Sequence, residues 1–240
     1  MLAIGRLAAA EDALYAAVAA RPRAPAPRGA LGKYLASRAR FRIGEILLTE
    51  AMRFGADSGS VLRAVAAMAP YRTGSAVPAP EVTVAFRVSE DGRTLGTFAV
   101  RTTDGARTAV LDPTITGIVA RRGVREFWVG ERRFAAYVAS VDPSLPNDEL
   151  RVGLDVLWSS HPIVDEHTGT LTLGRVPDVS SASVAGMVTH IPFVLTFPGV
   201  LLVPQPGLAP QAIQSPGGRA LLRGSRWQVS AATATLIVVR

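Results

Sequence analysis

The stretch that most constrains the fold is Met187 to Arg240, which reads as strand, turn, strand. At its close Trp227, Val229, Ala231, Thr233, Thr235, Ile237 and Val239 alternate with Gln228, Ser230, Ala232, Ala234, Leu236 and Val238. A period of two sends the two sets to opposite faces of a strand. The segment is rich in β-branched residues, which suit a pleated, half-buried surface. An apolar strand with a free edge is an aggregation hazard, so this one is expected to be tucked into a sheet. That settles architecture and says nothing of activity.

The same periodicity starts at Glu81. Val82, Val84, Phe86 and Val88 alternate with Thr83, Ala85 and Arg87, and Glu90-Asp91-Gly92 supplies a tight turn. Further strands are predicted at Leu95–Arg101, Thr108–Leu111, Ile115–Ala120, Glu126–Val129, Phe134–Val141, Leu150–Trp158 and Thr170–Leu173. Val184–His190, Phe193–Thr196, Val200–Val203, Arg219–Arg223 and Trp227–Val239 complete the set. No amphipathic segment of helical length interrupts them, which argues against a parallel α/β fold, and no repeat period suggests a propeller. The expected fold is mainly β with an N-terminal α-helical arm: an antiparallel β-sandwich or jelly-roll-like barrel over 81–240.

Residues 1–80 differ in kind. Alanine-rich residues 2–20 carry Leu7, Leu14, Tyr15 and Val18 at helical spacing. Arg21 to Gly29, with three alternating prolines, reads as an extended linker. A helix is predicted over 31–55, its packing stripe being Leu35, Ala39, Ile43, Ile46, Leu47, Ala51 and Phe54. Gly55 is its C-cap, Asp57-Ser58 starts a third helix through Ser60–Ala69, and Pro70 ends it. Residues 72–80 form a loop and the domain boundary.

Arginine supplies the positive charge, Lys33 being the only lysine among 26 basic residues. Residues 1–80 hold 11 basic and 5 acidic side chains, against 15 and 14 in 81–240. An acidic partner would therefore be drawn to the N-terminal third. Arg21, Arg23, Arg28, Arg38, Arg40 and Arg42 are the candidate contacts, to nucleic-acid phosphate or an acidic protein face. The plainer alternatives are a solvated linker and a solvated helix face. No exposed aromatics interleave with these arginines, as base stacking would need.

Constellations for chemistry are sparse. With no cysteine, disulfides and Cys-based metal sites are excluded. No apolar run is long enough for a membrane span, and Arg6, Glu11 and Asp12 spoil a secretory signal. His161-Pro-Ile-Val-Asp165-Glu166-His167 is the one cluster of metal-ligand types, and its turn residues favour a polar turn between strands. Gly-x-Ser-x-Gly is absent, and Gly217-Gly218-Arg219 lacks the end of a phosphate loop. Trp128, Trp158 and Trp227 sit in apolar strand-like runs and are expected in the core rather than on a sugar platform. No cofactor is expected.

Phe193-Val-Leu-Thr-Phe-Pro-Gly-Val-Leu-Leu-Val-Pro-Gln-Pro, followed by a Gly/Ser loop and the Ala/Ser/Thr-rich run from Trp227, resembles the closing hairpin of virion structural proteins of tailed phages and phage-like particles. The resemblance covers roughly the last 50 residues. It implies a self-assembling β domain without an active site, a homo-oligomer that meets other particle proteins in a virion or the cytoplasm. An N-terminal arm would then dock on a neighbouring subunit and order on assembly. The alternatives are a small β-domain enzyme or ligand binder with a site near His161–His167, and a nucleic-acid binder using residues 21–42.

Overall fold

The computed structural model describes residues 6–72, 80–174, 187–196, 200–205, 208–230 and 233–240. Four helices come first: α1 (Leu7–Ala20), α2 (Pro25–Ser37), α3 (Phe41–Arg53) and α4 (Ser58–Arg72). Strands follow as β1 (Val82–Val88), β2 (Gly96–Thr102), β3 (Gly105–Leu111), β4 (Ile118–Ala120), β5 (Glu126–Val129), β6 (Arg132–Ala135), β7 (Ala139–Val141) and β8 (Glu149–Val152). After the short α5 (Leu154–Leu157) come β9 (Ile163–Asp165), β10 (Thr170–Leu173), β11 (Val188–Pro192), β12 (Val194–Leu195), β13 (Leu201–Gln205) and β14 (Leu208–Ala212). The chain ends with α6 (Pro216–Leu222), β15 (Arg226–Ser230) and β16 (Thr235–Val239). A β-rich chain with N-terminal helices is as expected.

Thirteen strands make one sheet, ordered β11-β16-β15-β9-β10-β1-β2-β3-β8-β4-β7, with the β5–β6 hairpin joined through β2. Among the described residues it does not close: β11 and β7 stand at its ends. Strand β1 joins its two halves, Val82–Ala85 pairing with β10 and Phe86–Val88 with β2. β12, β13 and β14 form a separate sheet. The expectation of purely antiparallel pairing is corrected here. β8 is inserted between β3 and β4, parallel to the first and antiparallel to the second, and β7 runs parallel to β4.

Several boundaries also move. The long strand Trp227–Val239 is a hairpin, with Val229 opposite Leu236 and Ser230 opposite Thr235. Its turn reverses which alternating set faces inward. Trp227 and Val229 are buried before it, Leu236 and Val238 after it. Arg219–Arg223 belongs mostly to α6, started by Pro216 and capped by Ser215, whose Oγ accepts the Gly218 N–H at 3.2 Å. The strand expected at Leu150–Trp158 stops at Val152 and continues as α5 and a 3-10 turn over Trp158–Ser160. Phe134–Val141 divides into β6 and β7, while β9 and β14 were not foreseen. The strand predicted over Val184–His190 begins at Val188, with 184–186 outside the described residues.

The helical layer differs more. Pro25 occupies the first turn of α2, where its fixed φ and missing N–H cost nothing, so the expected extended linker shrinks to Arg21–Ala24. The predicted helix 31–55 is two helices, broken at Arg38–Arg40 with Ala39 in the left-handed region at φ 59°. Helix α4 runs past Pro70 to Arg72, the proline's cost being offset by burial of Met68, Ala69, Pro70 and Tyr71.

The face of α3 that turns inward is Phe41, Gly44, Leu48 and Ala51. Ile43, Ile46 and Phe54 of the expected stripe are exposed, Leu47 is half-buried, and Leu35 is buried on α2. The reason is a backbone-to-backbone crossing of α2 and α3. A Cβ on Gly44 would lie 2.8 Å from the Gly32 carbonyl oxygen, and one on Gly32 would lie 2.9 Å from that of Gly44. Glycine at both positions lets the helices approach, and the approach selects the buried face.

Helices α3 and α4 pack into the same core as the sheet. One apolar cluster runs from Phe41, Leu48, Met68 and Tyr71 into Leu111, Leu150, Leu157, Trp158, Phe193 and Trp227. At the junction Phe41 stacks on Tyr71 at 5.3 Å between ring centres, and Tyr71 meets Trp158 edge-on at 5.3 Å. Trp158 in turn meets Phe193 edge-on at 6.2 Å. Such pairs add about 0.5–1.5 kcal/mol each beyond the burial itself. The Arg38 guanidinium donates to the Phe193 carbonyl, and Tyr34 Oη donates to Leu7 O at 2.7 Å, tying α1 to α2.

Candidate functional site

The six candidate arginines divide into two groups. Arg28 pairs with Glu50 at 3.0 Å and lies over the Phe54 ring, Arg40 pairs with Glu11 at 2.6 Å, and Arg38 is fastened to Phe193. Arg21, Arg23 and Arg42 are exposed and form no ion pair among the described residues. Arg42 borders an open groove along α3, lined also by Ala39, Arg40, Ile43, Ile46 and Arg72. Arg72 is paired with Glu45 there.

The His161–His167 segment spans β9 and the turn into β10. His161 follows the 3-10 turn in a left-handed conformation, φ 47°, and burial, then the nearby Arg132 charge, lowers its pKa. His167 is exposed on the turn. Asp165 Oδ1 accepts the backbone N–H groups of His167 and Thr168, each at 3.0 Å, which makes it a turn-former. Glu166 points elsewhere: it pairs with Arg219 at 2.8 Å and accepts from Trp227 Nε1 and Gly224 N, both at 3.2 Å. No group of three metal-ligating side chains occurs among the described residues. Trp158 and Trp227 are buried, whereas Trp128 is half-buried with the Arg101 guanidinium 5.3 Å above its ring.

A feature that residue spacing does not reveal is the loop 112–117. Asp112, at the carboxyl end of β3, is buried, and its Oδ1 accepts from Thr114 N at 2.9 Å and Thr114 Oγ1 at 2.5 Å. Its Oδ2 lies 3.7 Å from Arg151 of the parallel strand β8. Asp155, just past the carboxyl end of β8, holds the other end of the loop by accepting the Gly117 N–H at 3.0 Å. Burial raises the pKa of Asp155 against the lowering effect of that bond. Burial, then the Asp155 charge, raises that of Tyr71. Gly117 is required here: its φ is 78°, and a Cβ would come within 1.9 Å of the Val138 oxygen.

The two ends of the sheet are a second feature. Tyr137, Val138, Ala139, Ser140 and Val141 are all exposed, Tyr137 to 63% and Val141 to 57%. At the other end Met187, Val188, Thr189 and His190 are exposed, Met187 to 68%. Met187 and Arg240 exchange both backbone hydrogen bonds, so the alternating ladder turns the main-chain groups of Val188 and His190 away from β16. A sequence scan registers both segments as ordinary strands, because position at an edge is not a local property.

Comparison with known protein families, curated proteins and solved structures finds no match for this chain. No helix among the described residues is long and apolar enough to cross a membrane.

Proposed function

We propose that the chain is a non-enzymatic structural protein of a virus or phage-like particle, self-assembling through its β domain. The observation that carries this is the β11 edge, an exposed strand whose outward main-chain groups invite a strand from another subunit. The edge strand is paired to β16 of the C-terminal hairpin that resembles virion proteins. The three-stranded sheet β12–β14 is read as the second layer of a sandwich-type unit, since Leu195, Leu201 and Val203 share the core with Trp227 and Leu236. Exposed Ile43 and Ile46 add an apolar patch for a neighbour, and Arg21, Arg23 and Arg42 offer contacts to packaged nucleic acid or an acidic face.

The test is mass by light scattering after size exclusion, at low and high salt, on nuclease-treated protein. A discrete oligomer that survives high salt and is lost in Val188→Lys supports assembly through this edge. A monomer at both salts overturns it.

A further inference from the structure

The edge at Tyr137–Val141 carries an inference independent of the particle reading. Strand β7 pairs in parallel with β4, Ile118 opposite Ala139 and Ala120 opposite Val141. Ile118 N donates to Val138 O and Asp142 N to Ala120 O, both at 3.0 Å. Only alternate residues of a parallel strand bond to a given neighbour. Ala139 and Val141 therefore turn their N–H and C=O groups outward, where no strand follows in the sheet order among the described residues.

The side chains beside this edge are mainly cationic. The loop Arg121-Arg-Gly-Val-Arg125 is hydrogen-bonded at both ends of the exposed run: Ala120 O accepts from Asp142, and Arg125 O accepts from Ala136. Arg121, Arg122 and Arg125 are exposed, and none forms an ion pair among the described residues. The acids nearby are engaged. Asp142 Oδ1 accepts from Ser144 N at 2.9 Å and Ser144 Oγ at 2.6 Å, and Glu126 is paired with Arg133. The other open edge of the sheet does not complement this one: Met187-Val-Thr-His-Ile-Pro192 carries no acid.

We propose that the β7 edge takes up an extended acidic segment of a partner protein as an added strand. Main-chain bonds to Ala139 and Val141 would supply the pairing, Tyr137, Val138 and Val141 would take its apolar side chains, and Arg121, Arg122 and Arg125 would select its carboxylates.

The probe is a fluorescein-labelled peptide of repeated Val-Glu dipeptides, followed by polarisation at low salt, with the Val-Lys repeat as its counterpart. Expected are binding of the Val-Glu peptide alone, affinity at least roughly tenfold weaker in the triple variant Arg121→Glu, Arg122→Glu, Arg125→Glu, and slowed amide exchange at Ala139 and Val141 of the wild-type protein with peptide bound. The exchange measurement needs no variant and stands if the triple variant fails to fold. Equal binding of both peptides, affinity retained in a folded triple variant, or unchanged exchange at Ala139 and Val141 would each overturn the proposal. So would binding of the labelled protein to phosphatidylserine vesicles but not to the peptide, or a self-association in the absence of peptide that the triple variant abolishes.

Discussion

The helix–sheet junction and the β7 edge are similar in composition and opposite in fate. Phe41, Tyr71, Trp158 and Phe193 meet from four separate parts of the chain and exclude water. Tyr137, Val138 and Val141 lie within five residues of one another and remain in it. Apolar character alone therefore does not decide burial. What decides it is whether the topology brings a second apolar surface to the first, and at the junction the α2–α3 crossing does so.

Removing the ring that starts this contact should have the largest effect. Phe41→Ala leaves a cavity against Tyr71 and Trp158, and a loss of about 3–5 kcal/mol is expected in urea unfolding, with helix and sheet signals still changing together. If the helical signal alone were lost, the two layers would not share one cooperative core. Gly44→Val tests the crossing from the other side. Its added atoms meet the Gly32 carbonyl, and a cost of about 1–3 kcal/mol is expected. Unchanged stability would mean that the crossing does not fix the buried face of α3.

Asp155 sharpens the comparison through pH. Burial raises its pKa in the fold above the ordinary carboxylate value, so the unfolded chain gives up this proton at lower pH than the folded one. Between the two values the folded state binds more protons, and stability falls as pH rises. The contribution is fully present below the unfolded pKa and lost as pH passes through the folded one. Thermal unfolding of Asp155→Asn should lack this loss while keeping an acceptor for Gly117 N–H, and a parallel pH profile in the two proteins would refute the assignment. Val141→Lys, at the exposed edge, should change stability by no more than about 0.5 kcal/mol. A larger loss would show that the edge is part of the core after all.

Much of the β region was legible because its signal is local. Alternation found β1, β2, β5 and β10 nearly to the residue, and Glu90-Asp91-Gly92 and Asp104-Gly105 marked real turns. The candidate site was less legible. The arginines could be counted, but their ion pairs join residues far apart in sequence, such as Arg28 with Glu50 and Arg40 with Glu11. Asp112 and Asp155 carry no motif and hold the two ends of one loop only because β3 and β8 lie side by side.

By itself the sequence determined that helices precede a β-rich region, where its most regular strands lie, and that positive charge gathers in the first third, since propensity, periodicity and composition act over a few residues. Only the tertiary structure decided that β8 enters between β3 and β4, that the α3 face bearing Gly44 is the buried one, and that Tyr137–Val141 ends the sheet. Each of these depends on which surfaces meet across long stretches of chain. There the free energy of burial and the strict pairing of main-chain groups override local preference.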